Sequence, residues 1–254
     1  MEESTQTPHF TNTDGVLLPT VSHDTYQELI SKLANNFGIT ELQIVESAAF
    51  SMAMVIRAAL GYSAAEANIL ALISDSLESR IVLATLRHLV TSHANAEIIT
   101  VSSLSEFTKQ QLYPLSQMGV NVTELSTKAE TSKLPEFLAD AHNVLFGISA
   151  EEKNELNNAI ISSLNDNQTP IHCINCPYGV SPDNGTITKP VLYASSTLSL
   201  GCIQTGLVAG NEYCGRNYLC DISIPEELYT EAGCPNLGLN FAAQPVNRVL
   251  YKAS

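Results

Sequence analysis

Short, largely apolar runs alternate along this chain with segments whose apolar residues recur every three or four positions. The runs at 69–73, 98–101, 120–125, 144–146 and 171–174 predict strands, and the periodic segments 77–90, 104–118, 134–141 and 151–164 predict helices. Strands that are apolar throughout belong to a parallel sheet covered on both faces and joined by right-handed crossovers. Two later runs, 191–200 and 218–222, predict further strands, and the mixed stretch 233–254 a surface tail.

Ahead of this alternation, Ser22 predicts the N-cap of a helix through Tyr26, Leu29, Ile30 and Leu33, which stops at Gly38. Thr40 predicts the cap of a second helix. In it Leu42, Val45, Ala49, Met52 and Ile56 recur at helical spacing, while Ala48, Met54, Val55 and Leu60 widen the apolar face. A face so broad is covered either by the sheet alone or by the sheet and a second copy of the chain. Before these helices, Pro8 and Pro19 bracket a short apolar piece, Val16, Leu17 and Leu18. The pattern is that of an α/β protein, a Rossmann-like three-layer sandwich with a mainly parallel central sheet and two N-terminal helices. Residues 1–21 read as an N-terminal arm and 22–254 as one domain.

Composition narrows the partners. A net charge of −14, with only 12 Lys and Arg, disfavours a general grip on nucleic acid, which works by replacing phosphate counterions with basic side chains. RNA binding is left to local geometry, such as Arg57, Arg80 and Arg87 of two copies lining one groove. The first six residues, Met1 to Gln6, are acidic and polar, without the pattern of a signal peptide, and no run suits a membrane span. Six cysteines in a chain rich in core residues read as buried thiols in a reducing cytosol. Cys173 and Cys176 have zinc-like spacing, but no second such pair exists to complete a site, so no metal is expected.

In an open sheet of this kind, ligands bind beyond the carboxyl ends of the strands. The turn after the first parallel strand holds Ser74, Asp75 and Ser76 and runs on through Glu78 to Arg80. It has no glycine to let backbone amides close on a phosphate, and its carboxylates read as helix caps. The turn after residue 174 presents Asn175, whose amide cannot exchange a proton as a general acid or base does. Tyr178 is a weaker alternative there, and Asp221 reads as the residue that fixes a later turn.

These residues resemble the YjeF N-terminal domain family, whose active members epimerise hydrated NADH and NADPH. Residues 38–61 are similar to its long first helix, 83–89 to its first crossover helix, 144–147 to its fourth strand and 174–179 to its catalytic turn. The resemblance implies that the family's glycine-rich loop is replaced at 77–82, that the catalytic Asp falls on Asn175, and that a cation-holding acid falls on Asn143. It therefore implies a non-catalytic domain with a vestigial pocket at Ser74, Asp75, Ser76, Asn143 and Asn175, without a firm cofactor beyond residual NAD or another nucleotide. Segments 13–19 and 215–225 are most similar to the C-terminal domain of enhancer of mRNA-decapping protein 3. That likeness implies a homodimeric scaffold that joins decapping factors in cytoplasmic processing bodies. Val16, Leu17, Leu18, Leu42, Val45, Ala49, Met52 and Ile56 are the interface candidates. The alternative is an epimerase-type enzyme or a nucleotide sensor of the same fold.

Overall fold

A computed structural model describes residues 7–61 and 63–253. The Met1 to Gln6 segment, read above for a leader, lies outside the described residues. In chain order the elements begin with β1 (His9–Thr11), β2 (Leu17–Leu18), β3 (Thr20–Val21), α1 (His23–Phe37) and α2 (Glu41–Met54). There follow β4 (Asn68–Ile73), α3 (Leu77–Val90), β5 (Asn95–Thr100), α4 (Glu106–Gln117), β6 (Asn121–Glu124) and α5 (Leu134–Ala139). Then come β7 (Asn143–Phe146), α6 (Glu155–Asn165), β8 (Ile171–Ile174), β9 (Ser196–Leu200) and β10 (Ile203–Gln204). The chain closes with α7 (Gly206–Ala209), β11 (Arg216–Cys220), α8 (Glu226–Glu231) and β12 (Val246–Lys252).

Local chemistry sets the helix ends. The Ser22 hydroxyl accepts from the Thr25 amide, and Gly38 stops α1 in the left-handed conformation, φ 69°, that glycine adopts without strain. Thr40 and Gln43 form a reciprocal capping box at the start of α2. The expected helix over 151–164 starts later, because Asn154 caps it through the Asn157 amide. Glu151 and Glu152 consequently lie in the loop before α6 rather than on the helix.

The main sheet has the order β2-β1-β12-β11-β9-β8-β7-β4-β5-β6. From β11 to β6 every neighbour is parallel, while β12, β1 and β2 extend the sheet antiparallel. The C-terminal stretch is thus no surface tail, because β12 pairs with both β11 and β1. The arm is woven in as well, with Phe10, Leu18 and Val21 in the core. Alternate residues of each parallel strand enter different cores. Ala71, Ile73, Leu145 and Ile174 pack with α1, α2 and α3 on one face, and Leu72, Val144, Phe146 and Cys173 pack with α5 and α6 on the other.

The broad apolar face of α2 is used up inside the molecule. Val45, Ala49, Met52 and Ile56 are buried against α3 and the sheet, and Leu18 is buried in the arm. Those five interface candidates have no surface to offer a partner, because the sheet and α3 cover both flanks of the helix. Leu42, Val16 and Leu17 remain exposed. All six cysteines are buried and free.

Strand order decides where a ligand can sit. The chain moves outward from β4 to β5 and β6, then returns to place β7 on the other side of β4 and continues to β8 and β9. The direction of winding reverses between β4 and β7, and a crevice opens beyond their carboxyl ends at such a point.

Candidate functional site

The two loops leaving the crevice are laced together by serines. Ser76 caps α3 by accepting from the Ser79 amide at 3.0 Å, and it donates to the Gly147 carbonyl at 2.8 Å. Ser79 donates to the same carbonyl at 2.7 Å and accepts from the Ser74 amide at 2.8 Å. A Cβ on Gly147 would stand 2.8 Å from Ser79 Cα, so only glycine permits this approach. The cap is therefore Ser76, not a carboxylate. Asp75 instead reaches across to α4, where Ser105 and Thr108 donate to it and Arg80 stands 3.9 Å away. Burial would raise its carboxyl, but the Thr108 and Ser105 hydrogen bonds outweigh that and hold it below the usual range.

Over the crevice lies the first turn of α1, and between them is a cleft of about 140 Å³. His23, Tyr26 and Gln27 come from α1, Leu77 and Glu78 from the start of α3, and Ser149 and Glu151 from the loop after β7. Asn175 and Cys176 follow β8, and Gln204 closes the far side. Asn175 holds a left-handed backbone, φ 58°, which asparagine tolerates better than most residues. Its Oδ1 accepts from the Tyr26 hydroxyl at 3.3 Å, which turns its Nδ2 towards Glu78 Oε1 at 3.0 Å. Burial, reinforced by the Glu78 charge, pushes the Tyr26 hydroxyl well above its ordinary range, so it remains a donor.

Further carboxylates stand nearby. Glu152 accepts from Ser74 at 2.7 Å, and burial followed by the Glu78 charge raises its carboxyl. Glu151 stands 3.3 Å from His23 Nε2, while His23 Nδ1 lies 2.8 Å from Gln204 Oε1. These contacts tie the first residue of α1 to the floor of the cleft.

Of the five sequence-predicted pocket residues, only Asn175 lines the cleft. Ser74, Asp75 and Ser76 support its rim. Asn143 does not belong to it: it is the first residue of β7, whereas the cleft opens beyond Phe146, roughly 10 Å along the strand. There Asn143 Oδ1 lies 2.9 Å from His172 Nε2, and His172 Nδ1 lies 2.9 Å from Ser196 Oγ. Burial lowers His172 to about 4, so the ring is neutral and bridges three strands, donating to Asn143 and accepting from Ser196. Tyr178 is likewise structural, being buried with its hydroxyl on Asn158. Asp221 accepts from the Ser223 amide and fixes that turn. Sequence reasoning missed Glu78 and Tyr26 as site residues, taking one for a cap and the other for core. The available signal was that Glu78 and Asn175 each follow a parallel strand, but the order of those strands was not legible.

The chain is 27% identical over 239 residues to a protein of Dehalogenimonas lykanthroporepellens named NAD(P)H-hydrate epimerase, covering 92% of this chain and 94% of that one. Its fold matches the crystal structure of yeast ynu0, YNL200c, with a TM-score of 0.72 and 21% identity, over 85% of this chain and 94% of that one. The expectation of a non-catalytic domain is corrected by the first of these, a relative of nearly the same length that is named as an enzyme. The inference from Asn175 failed because a missing carboxylate at one strand end does not leave the cleft without one: Glu78, in the first turn of α3, lies beside Asn175. Residues 41–206 match the family described as YjeF-related protein N-terminus, and the chain belongs to that family.

Proposed function

We propose that the chain is an enzyme of the NAD(P)H-hydrate epimerase type, working in the cleft under α1 with Glu78 as its proton-carrying group. The observation that carries this reading is the hydrogen bond from Asn175 Nδ2 to Glu78 Oε1, which holds a carboxylate at the switch point of the sheet. In a hydrated dihydronicotinamide ring the hydroxyl-bearing carbon is bonded to the ring nitrogen. Its C–O bond breaks as the Glu78 carboxyl gives a proton to the departing oxygen, which leaves as water, while the nitrogen lone pair forms a C=N bond. Water then adds to the opposite face of that carbon and loses a proton to bulk water, the electron pair goes back to nitrogen, and Glu78 takes a proton back from solvent. Glu78 ends as it began, and the product is the other epimer. The ring is a cation between the two steps, and the Glu78 and Glu151 carboxylates lie where they would stabilise it. Incubation with one purified epimer of hydrated NADH tests the reading. Interconversion well above the spontaneous rate is expected, and a rate equal to the spontaneous one overturns it.

A homodimer is a second, compatible reading of assembly, favoured by the exposure of Val16, Leu17 and Leu42. Light scattering at micromolar concentration tests it, and a strict monomer overturns it. A place among decapping factors in processing bodies rests on the resemblance at 13–19 and 215–225, and co-purification with decapping proteins is its test.

A further inference from the structure

We propose that a groove at the opposite end of the sheet from the cleft binds a small phosphate monoester that also carries hydroxyl groups, of the size of a pentose phosphate. The groove has a volume of about 300 Å³, at the lower end of the range of small-molecule sites. It is lined by Arg216 and Asn217 at the start of β11, by Arg248, Tyr251 and Lys252 of β12, and by Asn211 ahead of β11. The cleft opens beyond the carboxyl ends of the parallel strands, whereas β11, which runs parallel to β9, has its amino end here. The two sites are therefore separate, and this inference does not rest on the epimerase reading.

Three cations meet at the groove without a counter-charge. In the antiparallel pair of β11 and β12, Tyr218 stands opposite Arg248, a register that carries on to set Arg216 opposite Leu250. Side chains two apart on a strand share a face, so Arg216, Arg248 and Lys252 lie on one face, with the arginine of β11 between the two cations of β12. No residue of β1, β11 or β12 is acidic. Lys32, Arg80, Arg87, Lys109 and Lys133 are each neutralised by a carboxylate. Arg216, Arg248 and Lys252 form no ion pair among the described residues, and their like charges repel one another. A dianionic phosphoryl group removes that repulsion, and its several oxygens suit two guanidinium forks and an ammonium. It draws on the local charge, which here has the opposite sign to the chain's net −14.

The amides beside the cations supply the other half of the site. Asn217 is buried, and its Nδ2 donates to Asn211 Oδ1 at 2.9 Å. Asn217 Oδ1 is then a buried acceptor with no partner among the described residues, an arrangement that costs stability until a donor arrives. Asn211 Nδ2 is left to donate next to it. A sugar hydroxyl both donates and accepts, and so answers both atoms while the phosphoryl group takes the cations.

Titration calorimetry with ribose 5-phosphate, inorganic phosphate and ribose tests the inference. We expect ribose 5-phosphate to bind at least tenfold more tightly than either of the others, and its binding to weaken as salt screens the cations. The double variant Arg216→Gln with Arg248→Gln, both side chains being exposed, should lose that binding and keep its unfolding temperature, while Glu78→Gln, in the cleft, should bind as the parent does. Asn211→Ala should bring ribose 5-phosphate down to the affinity of inorganic phosphate. Binding that survives the double substitution or ignores salt overturns the inference, as does an unchanged affinity in Asn211→Ala, equal binding of ribose or of inorganic phosphate, or no binding of ribose 5-phosphate. A single-stranded oligoribonucleotide bound more tightly than the monoester also overturns it, because the occupant would then be a polymer.

Discussion

The side-chain amide of Asn175 donates to the carboxylate of Glu78 across 3.0 Å, joining two residues that are 97 positions apart in the chain. Tyr26, donating to the other end of the amide, fixes which way it faces. An ionised aspartate at 175 could not make this bond, because it would present oxygen to oxygen. Asn175 and Glu78 are thus a matched pair, the carboxylate being carried by the first turn of α3 and its orienting donor by the turn after β8.

Replacing Glu78 by Gln keeps the shape and the contact with Asn175 but removes the proton carrier. We expect epimerisation of hydrated NADH to fall by about 10²–10⁴-fold with little change in thermal stability. A variant that retains half the parent rate would exclude Glu78 from the chemistry.

Asn175→Asp places two carboxylates side by side, and such a pair cannot be fully ionised without cost, so one of them holds its proton to higher pH. A carboxyl whose folded value is raised is no burden in acid and becomes one as pH rises. The variant should match the parent near pH 4 and fall progressively behind it towards pH 8 in urea midpoint. A constant gap across that range would show that the two groups do not interact.

Gly147→Ala drives a methyl group to 2.8 Å from Ser79 Cα, where backbone must move. We expect a loss of about 1–3 kcal/mol in urea unfolding, together with a drop in activity, since the start of α3 carries Glu78. Unchanged stability would mean that the two loops are not held as closely as the serine contacts indicate.

His172 makes folding sensitive to acid. Its folded value of about 4 lies below the ordinary 6.5, so the unfolded chain takes up the proton first. Stability is therefore complete above about pH 6.5 and is lost as pH falls towards 4, by roughly 3 kcal/mol from this residue alone. A His172→Gln variant, which keeps a donor and an acceptor but does not titrate, should flatten that part of the profile. An unaltered profile in the variant would place the acid sensitivity elsewhere.

Much of the fold is legible in the sequence because helix ends and strand burial are local matters. Ser22, Gly38 and Thr40 mark the ends of α1 and α2 by their own backbone chemistry. The run at 69–73 is apolar because both faces of that strand are covered. By contrast, 246–252 shows mixed burial, because β12 lies in the antiparallel extension of the sheet, and nothing in its composition distinguishes it from a loop.

The site was legible only in part, for a different reason. Sequence alone determined that Asn175 follows a strand and cannot exchange a proton, and that the turn from Ser74 to Arg80 contains no glycine. Only the tertiary structure decided that Glu78 faces Asn175 under Tyr26. Periodicity reports how deeply a residue is buried, but which loops share a crevice depends on the order of strands across the sheet, and that order is fixed by packing between residues far apart in the chain.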